Sequence, residues 1–232
     1  MRRFFGLLFA VAGIAHAGSD CEHVTFTHAE QCLNNHSWTH ALNKKGATVY
    51  MRHIPGSARY ELYMLGKVNA PASKIFSVLV DYDTYTDFMP ETLTCSLTLD
   101  SVQGKKLVWQ QIDFPGLLNL VVDDQYYLIE ISQRDTRDRT ESYRISWTLA
   151  SEQAHQQHAP AEDRCRKGRK IGANEGYWEV EPDGQGASNV KYYLYTQPAG
   201  WAVEQLAEIV AGITRKEAPA TMQALRSRVV EH

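Results

Sequence analysis

The sequence carries no Gly-x-Ser-x-Gly elbow, no phosphate-binding glycine loop and no dinucleotide glycine fingerprint. The best-marked routes to acyl, phosphoryl and hydride transfer are therefore missing. It has no Cys-x-x-Cys or His-Glu-x-x-His frame that would fix a metal. Basic charge is not in surplus: 24 Lys and Arg against 27 Asp and Glu leave a net charge of -3, which gives no electrostatic case for nucleic acid or an anionic membrane. Two basic runs, "RDTRDR" and "RCRKGRK" (the latter covering 164–170), are local and read as solvated loops. No apolar run beyond the first residues is long enough to cross a bilayer, and no internal repeat is visible. Cysteine is scarce, at four residues.

What is present begins with an export signal. Arg2 and Arg3 precede the apolar "FFGLLFAVAGI", and Ala15-His16-Ala17 offers small residues for cleavage. Residues 1–17 are expected to be removed, leaving Gly18 first, and the bacterial periplasm is the expected destination. In an oxidising compartment the four cysteines form up to two disulfides. Three pairings are open, of which Cys21–Cys32 and Cys95–Cys165 is preferred. The rival is a metal site, because Cys21, His23, His28, Cys32, His36 and His40 crowd one segment. Export favours the disulfide, and neither a metal nor a cofactor is expected.

Residues 18–36 read as an N-terminal extension and 37–232 as one domain. "NNHSWTHALNKKG" has helical spacing of Trp38 and Leu42, ended by Gly46. Two strands follow, "ATVYMRHI" and "GSARYELYMLGKV", the second apolar on both faces. Pro71 opens a helix through Ile75, Phe76, Leu79 and Val80, and Pro90 stops it. Six more strands run from "TLTCSLTLD" to "NVKYYLYTQP", interrupted by the apolar loop "PGLLNLVV" and a polar stretch from Glu152 to Gly176. His155 and His158 in that stretch are expected in solvent. Val203, Leu206, Val210 and Ile213 recur at spacings of three and four in a final helix, which Pro219 is expected to kink or break before Met222 and Leu225. Helices at both ends of a run of neighbouring strands indicate an α+β fold with an antiparallel sheet.

This order, with its motifs, resembles the START-like superfamily, whose helix-grip fold is shared by lipid-transfer START domains and polyketide cyclases. The resemblance runs from about Trp38 to Val230. It rests on "KKGATVYMRHIPGSARYELYMLGKVNAP", on "KIFSVLVDYDTYTDFMP", on "DDQYYLI" and on "EGYWEVEPDGQGASNVKYYLYTQPAGW". Asp124-Gln125 stands where relatives often have Arg-Asp, and Ala199 where a glycine is common. The resemblance implies a curved sheet wrapped around the last helix, with a hydrophobic-ligand cavity between them. Trp109, Tyr143, Ile145, Trp147, Tyr192 and Leu194 are its expected strand lining, with Val203, Leu206, Val210 and Ile213 above. A register error of one residue would exchange every strand assignment for its opposite face. Tyr85, Phe88 and Met89 are placed at the mouth, and Leu117, Leu118 and Leu120 in a lid. Glu179 is the candidate contact for a polar headgroup.

The function expected is binding, or binding and carriage, of a lipid or other hydrophobic small molecule by a monomer. No catalytic residue is assigned. The alternative is a polyketide cyclase or dehydratase-like enzyme using the same cavity, which requires a buried titrating group. An accessory protein that docks a partner is a third reading.

Overall fold

The computed structural model describes residues 21–54, 60–102, 105–114, 123–135, 142–158, 165, 168–197, 199 and 207–231. The proposed signal, the lid leucines Leu117, Leu118 and Leu120, and Val203 and Leu206 lie outside them, as does the side chain of Val210. The elements in chain order are α1 (Phe26–Asn35), β1 (Thr39–Lys44), β2 (Ala47–His53), β3 (Tyr60–Val68), α2 (Ala72–Leu79) and α3 (Tyr85–Phe88). They continue with β4 (Leu93–Val102), β5 (Lys105–Ile112), β6 (Gln125–Asp135), β7 (Tyr143–Leu149) and α4 (Glu152–Gln157). The last are β8 (Arg169–Lys170), β9 (Ala173–Pro182), β10 (Ser188–Gln197) and α5 (Ala207–Glu231). Nine strands form one antiparallel sheet in the order β1-β2-β3-β10-β9-β7-β6-β5-β4, and β8 adds a short parallel pairing to β6.

The helical reading of Trp38 to Gly46 is overturned. The helix lies earlier, at Phe26–Asn35, and Thr39–Lys44 is a strand. The reason is the turn. Lys45 and Gly46 have φ of 53° and 67°, and Lys44 pairs with Ala47, the signature of a two-residue hairpin. Once β2 is in place, pairing along it outweighs a weak helical period.

Alternation then sorts side chains onto two faces. On the concave face Val49, Leu62, Met64, Val108, Ile129, Ile145, Trp178 and Val190 join one core. It is closed by Ile75 and Leu79 of α2 and by Ala218, Met222, Leu225 and Val229 of α5, which recur at helical spacing. Helix α5 runs unbroken through Pro219, contrary to the expected break. Its far end is tied down by Arg226, whose Nε donates to the Lys67 carbonyl at 2.8 Å and Nη2 to that of Gly46 at 2.8 Å.

The convex face is covered as well. Helix α1 lays Ala29 and Leu33 on a shelf of Trp38, Tyr50, Tyr63, Tyr177, Tyr193 and Tyr195, and Cys21–Cys32 closes the segment. Further along, Cys95–Cys165 pins the stretch after β7 over Leu107, Trp109 and Leu128. The preferred cysteine pairing is thus the observed one. His155 of α4 is buried, not solvated: its Nε2 accepts the Leu128 N–H at 3.3 Å and its ring meets Trp109 edge-on. Burial pushes its pKa down to about 4.

Candidate ligand-binding site

Between the concave face and the α3–α5 side the packing leaves a cavity of about 180 Å³. Its wall is built by strand parity. Gln110 and Ile112 of β5, Tyr127, Ile129 and Ile131 of β6, and Ile145 and Trp147 of β7 all fall on one side. Asn174 and Trp178 of β9 and Tyr192 and Leu194 of β10 complete the floor. The register makes this a continuous surface, since Tyr192 lies opposite Trp178 and Trp178 opposite Ile145. Gly176 is needed beside it. A Cβ there would stand 2.5 Å from the Trp147 ring and 2.3 Å from the Tyr193 carbonyl oxygen, so any other residue would displace the indole or the strand.

Opposite the floor, "DYDTYTDFMP" supplies Tyr82, Tyr85, Met89 and Pro90, and α5 supplies Glu217 and Thr221. The aromatics of this corner are wedged together. Tyr85 meets Tyr82 and Phe88 edge-on, and its hydroxyl donates to the Leu79 carbonyl at 2.6 Å. Tyr82 accepts from Gln133 Nε2 at 3.0 Å. The carboxylates of the corner stay outside this wedge: Asp83 and Asp87 are exposed, and Asp83 Oδ1 accepts the Thr98 N–H at 2.5 Å.

Polar groups in the wall are few. Asn174 Oδ1 accepts from Trp147 Nε1 at 2.8 Å, and the Asn174 amide also bonds the Tyr127 hydroxyl. Gln110 Nε2 donates to Ser96 Oγ at 3.2 Å. Burial raises the phenol of Tyr82 to about 12 and lifts Tyr85, Tyr127 and Tyr192 well above their ordinary range, so all four stay protonated. Burial also raises Glu217, against a smaller opposing pull from Lys45. No Lys, Arg or His is among the described lining residues.

Of the expected strand lining, Ile145, Trp147, Tyr192 and Leu194 border the cavity, as do Tyr85 and Met89 from the corner. Tyr143 has the right face but is covered by α2, stacked on Phe76 at 4.6 Å. Phe88 packs on Tyr85 and under the Arg228 guanidinium rather than on the cavity. Ile213 is half-buried on α5 and does not border it. Trp109 is on the other face altogether. Its Nε1 donates to the Cys165 carbonyl at 2.5 Å and its ring stacks on Tyr126, so Val108 and Gln110 are the inward residues of β5.

Glu179 is likewise convex, not a cavity group. Arg144 Nη1 bonds it at 2.6 Å, Lys191 pairs with it, and Arg144 Nη2 reaches Glu22 at 2.6 Å. The alternation of Glu179 and Glu181 with Trp178 and Val180 was a real signal, but the faces are inverted relative to the headgroup assignment. Sequence reading missed Asn174, Gln110, Tyr127 and Glu217. The same alternation along β5, β6 and β9 contained the first three. Glu217 lies one helical turn beyond Ile213, on the same α5 stripe.

A family model described as polyketide cyclase / dehydrase and lipid transport matches residues 68–223, most of the chain. The chain belongs to this family. The fold of its members recurs in solved structures at low identity. A STAR-related lipid transfer protein from Xanthomonas axonopodis is 19% identical over 83% of this chain and 98% of its own, with a TM-score of 0.64. Human StAR-related lipid transfer protein 5 is 12% identical over 92% of this chain and 98% of its own, with a TM-score of 0.65. The Zhui aromatase/cyclase from Streptomyces sp. R1128 is 15% identical over 73% of this chain and 92% of its own, with a TM-score of 0.53. At such identities the likeness establishes the helix-grip fold alone. No curated protein matches the sequence significantly.

Proposed function

We propose that this chain binds a lipid or other hydrophobic small molecule in the cavity between its concave sheet face and α5. The observation that carries the reading is an unfilled space of about 180 Å³ walled largely by Ile, Leu, Trp and Tyr side chains. Interiors normally close-pack, and a dry apolar void of roughly 150 Å³ is enough to take a benzene ring. Family membership and the likeness to lipid-transfer and cyclase folds agree with this use of the space. Binding is by enclosure: the apolar body leaves water, gaining about 0.8 kcal/mol per buried methylene, and the few polar wall groups orient it.

We propose further that binding takes place outside the cytoplasm. Two disulfides and the sequence of residues 1–17 support export, and no described helix is long and apolar enough to cross a membrane. Purification under mild conditions from the periplasm of the native cell, followed by organic extraction and mass spectrometry, tests both parts. The expected result is a protein beginning at Gly18 with a stoichiometric apolar molecule. A chain retaining Met1, or one that never yields such a molecule and binds none added, contradicts the proposal.

A further inference from the structure

Three tyrosine hydroxyls of the cavity wall have no protein acceptor among the described residues: that of Tyr82, which only receives Gln133 Nε2, and those of Tyr192 and Tyr127 deeper on the sheet. Tyr192 is held by its ring, 4.3 Å from Trp178 and 6.0 Å from Trp147, and its hydroxyl makes no hydrogen bond with a described residue. Tyr127 receives the Asn174 amide N–H, and its own proton meets no acceptor among the described residues. A ligand that fills the space would seal these hydroxyls from water, and a donor then left unmade costs roughly 1–3 kcal/mol, so the wall favours an occupant that brings an oxygen acceptor. Nothing in it calls for an anion. The described lining holds no cation. The one carboxylate in the described lining, Glu217, adds repulsion.

We infer that the cavity selects an uncharged hydrophobic ligand bearing a carbonyl, ether or hydroxyl oxygen, received by Tyr192 and Tyr127, and excludes carboxylates and phosphates. This rests on the proposed binding reading and narrows it. The reason is desolvation: an ionised carboxylate brought into such a wall loses its hydration and finds no opposite charge, whereas a carbonyl needs only the donor.

Calorimetric titration of the mature protein with 2-octanone, octane and octanoate at pH 8 tests the inference, since the three differ mainly at one end. The ketone is expected to bind about tenfold tighter than octane, the equivalent of one good neutral hydrogen bond. Octanoate is expected to bind on the order of a hundredfold more weakly than the ketone. Tyr192→Phe should draw the ketone-to-octane ratio toward one, and Tyr127→Phe provides the same reading if the first variant does not fold. Octanoate binding as tightly as the ketone overturns the inference while leaving a hydrophobic cavity in place. So does a ratio that neither variant changes. Failure of all three ligands to bind removes the cavity reading itself, and this inference with it.

Discussion

The two faces of the sheet solve the same problem, burial of a wide β surface, by opposite means. The concave face is apolar and under-filled. The convex face is filled and heavily polar, and the buried Lys191, Arg52 and Glu61 on it all take part in ion pairs. Lys191, only 1% exposed, pairs with Glu179 and with Glu181 at 2.9 Å and donates to the Val24 carbonyl at 2.7 Å. Arg144 lies 3.8 Å over the Tyr177 ring while bonding Glu179 and Glu22, and Arg52 pairs with Glu61 at 2.7 Å beneath Trp38. Such a network is geometrically demanding, and its covers are held by disulfides. The apolar face needs no partners and tolerates a vacancy that a ligand can fill. On the proposed reading, the charged network and the ligand seat thus lie on different sides of one sheet.

That division fails or stands on where substitutions act. Lys191→Met should have the greatest cost, about 3–5 kcal/mol in a urea titration, because it leaves two half-buried carboxylates short of their cation. Ligand affinity should not change with it. Loss of the disulfides comes next. Replacing Cys95 and Cys165 by Ala opens a 70-residue loop and is expected to cost about 4 kcal/mol, against about 3 kcal/mol for Cys21 and Cys32, which span 11 residues. A reversed order would mean that the two covers contribute through contacts rather than through chain entropy.

His155 gives a smaller and pH-dependent effect. Its folded pKa, about 4, lies below the ordinary value of 6.5, so its neutral ring contributes fully above pH 6.5. That contribution is lost as pH falls from 6.5 toward 4, when the native state must accept a proton it disfavours. Unfolding midpoints measured across that window should fall in the wild type and fall less steeply in His155→Gln. At neutral pH the same variant should lose about 1–3 kcal/mol, since the Leu128 N–H forfeits its acceptor. An unchanged acid slope would place the titration elsewhere.

Much of this division was legible in the sequence. Apolar residues on both faces of "RYELYMLGKV" announced a sheet covered twice, and the cysteine pairing preferred among the three left open is the one observed. Tyr192, Leu194, Ile145 and Trp147 were expected in the cavity that the resemblance implies, and they border the space observed. The errors share a cause. Trp109 and Glu179 were placed by what they are, a large aromatic and a carboxylate, on strands whose facing only the register decides. A buried Trp can as well brace a disulfide-tied loop, and a half-buried Glu can as well balance Arg144 and Lys191. Thr39–Lys44 was read as helix because six residues give little period to judge, and its partner strand supplies the decisive pairing.

The least disruptive substitution bears on the ligand space itself. Leu194 lines the cavity and is half-buried, so Leu194→Trp should occupy the vacancy with little change in stability, whereas the same enlargement in a close-packed core would cost roughly 1–3 kcal/mol. Thermal unfolding of both proteins with increasing 2-octanone then decides the matter. At a hundredfold excess over Kd a ligand that binds only the folded state adds about 2.7 kcal/mol, and the wild type should show a correspondingly rising Tm. Leu194→Trp should start from nearly the same Tm and remain there. A wild-type Tm that does not respond, or an equal rise in both proteins, would contradict a ligand seat between the concave face and α5.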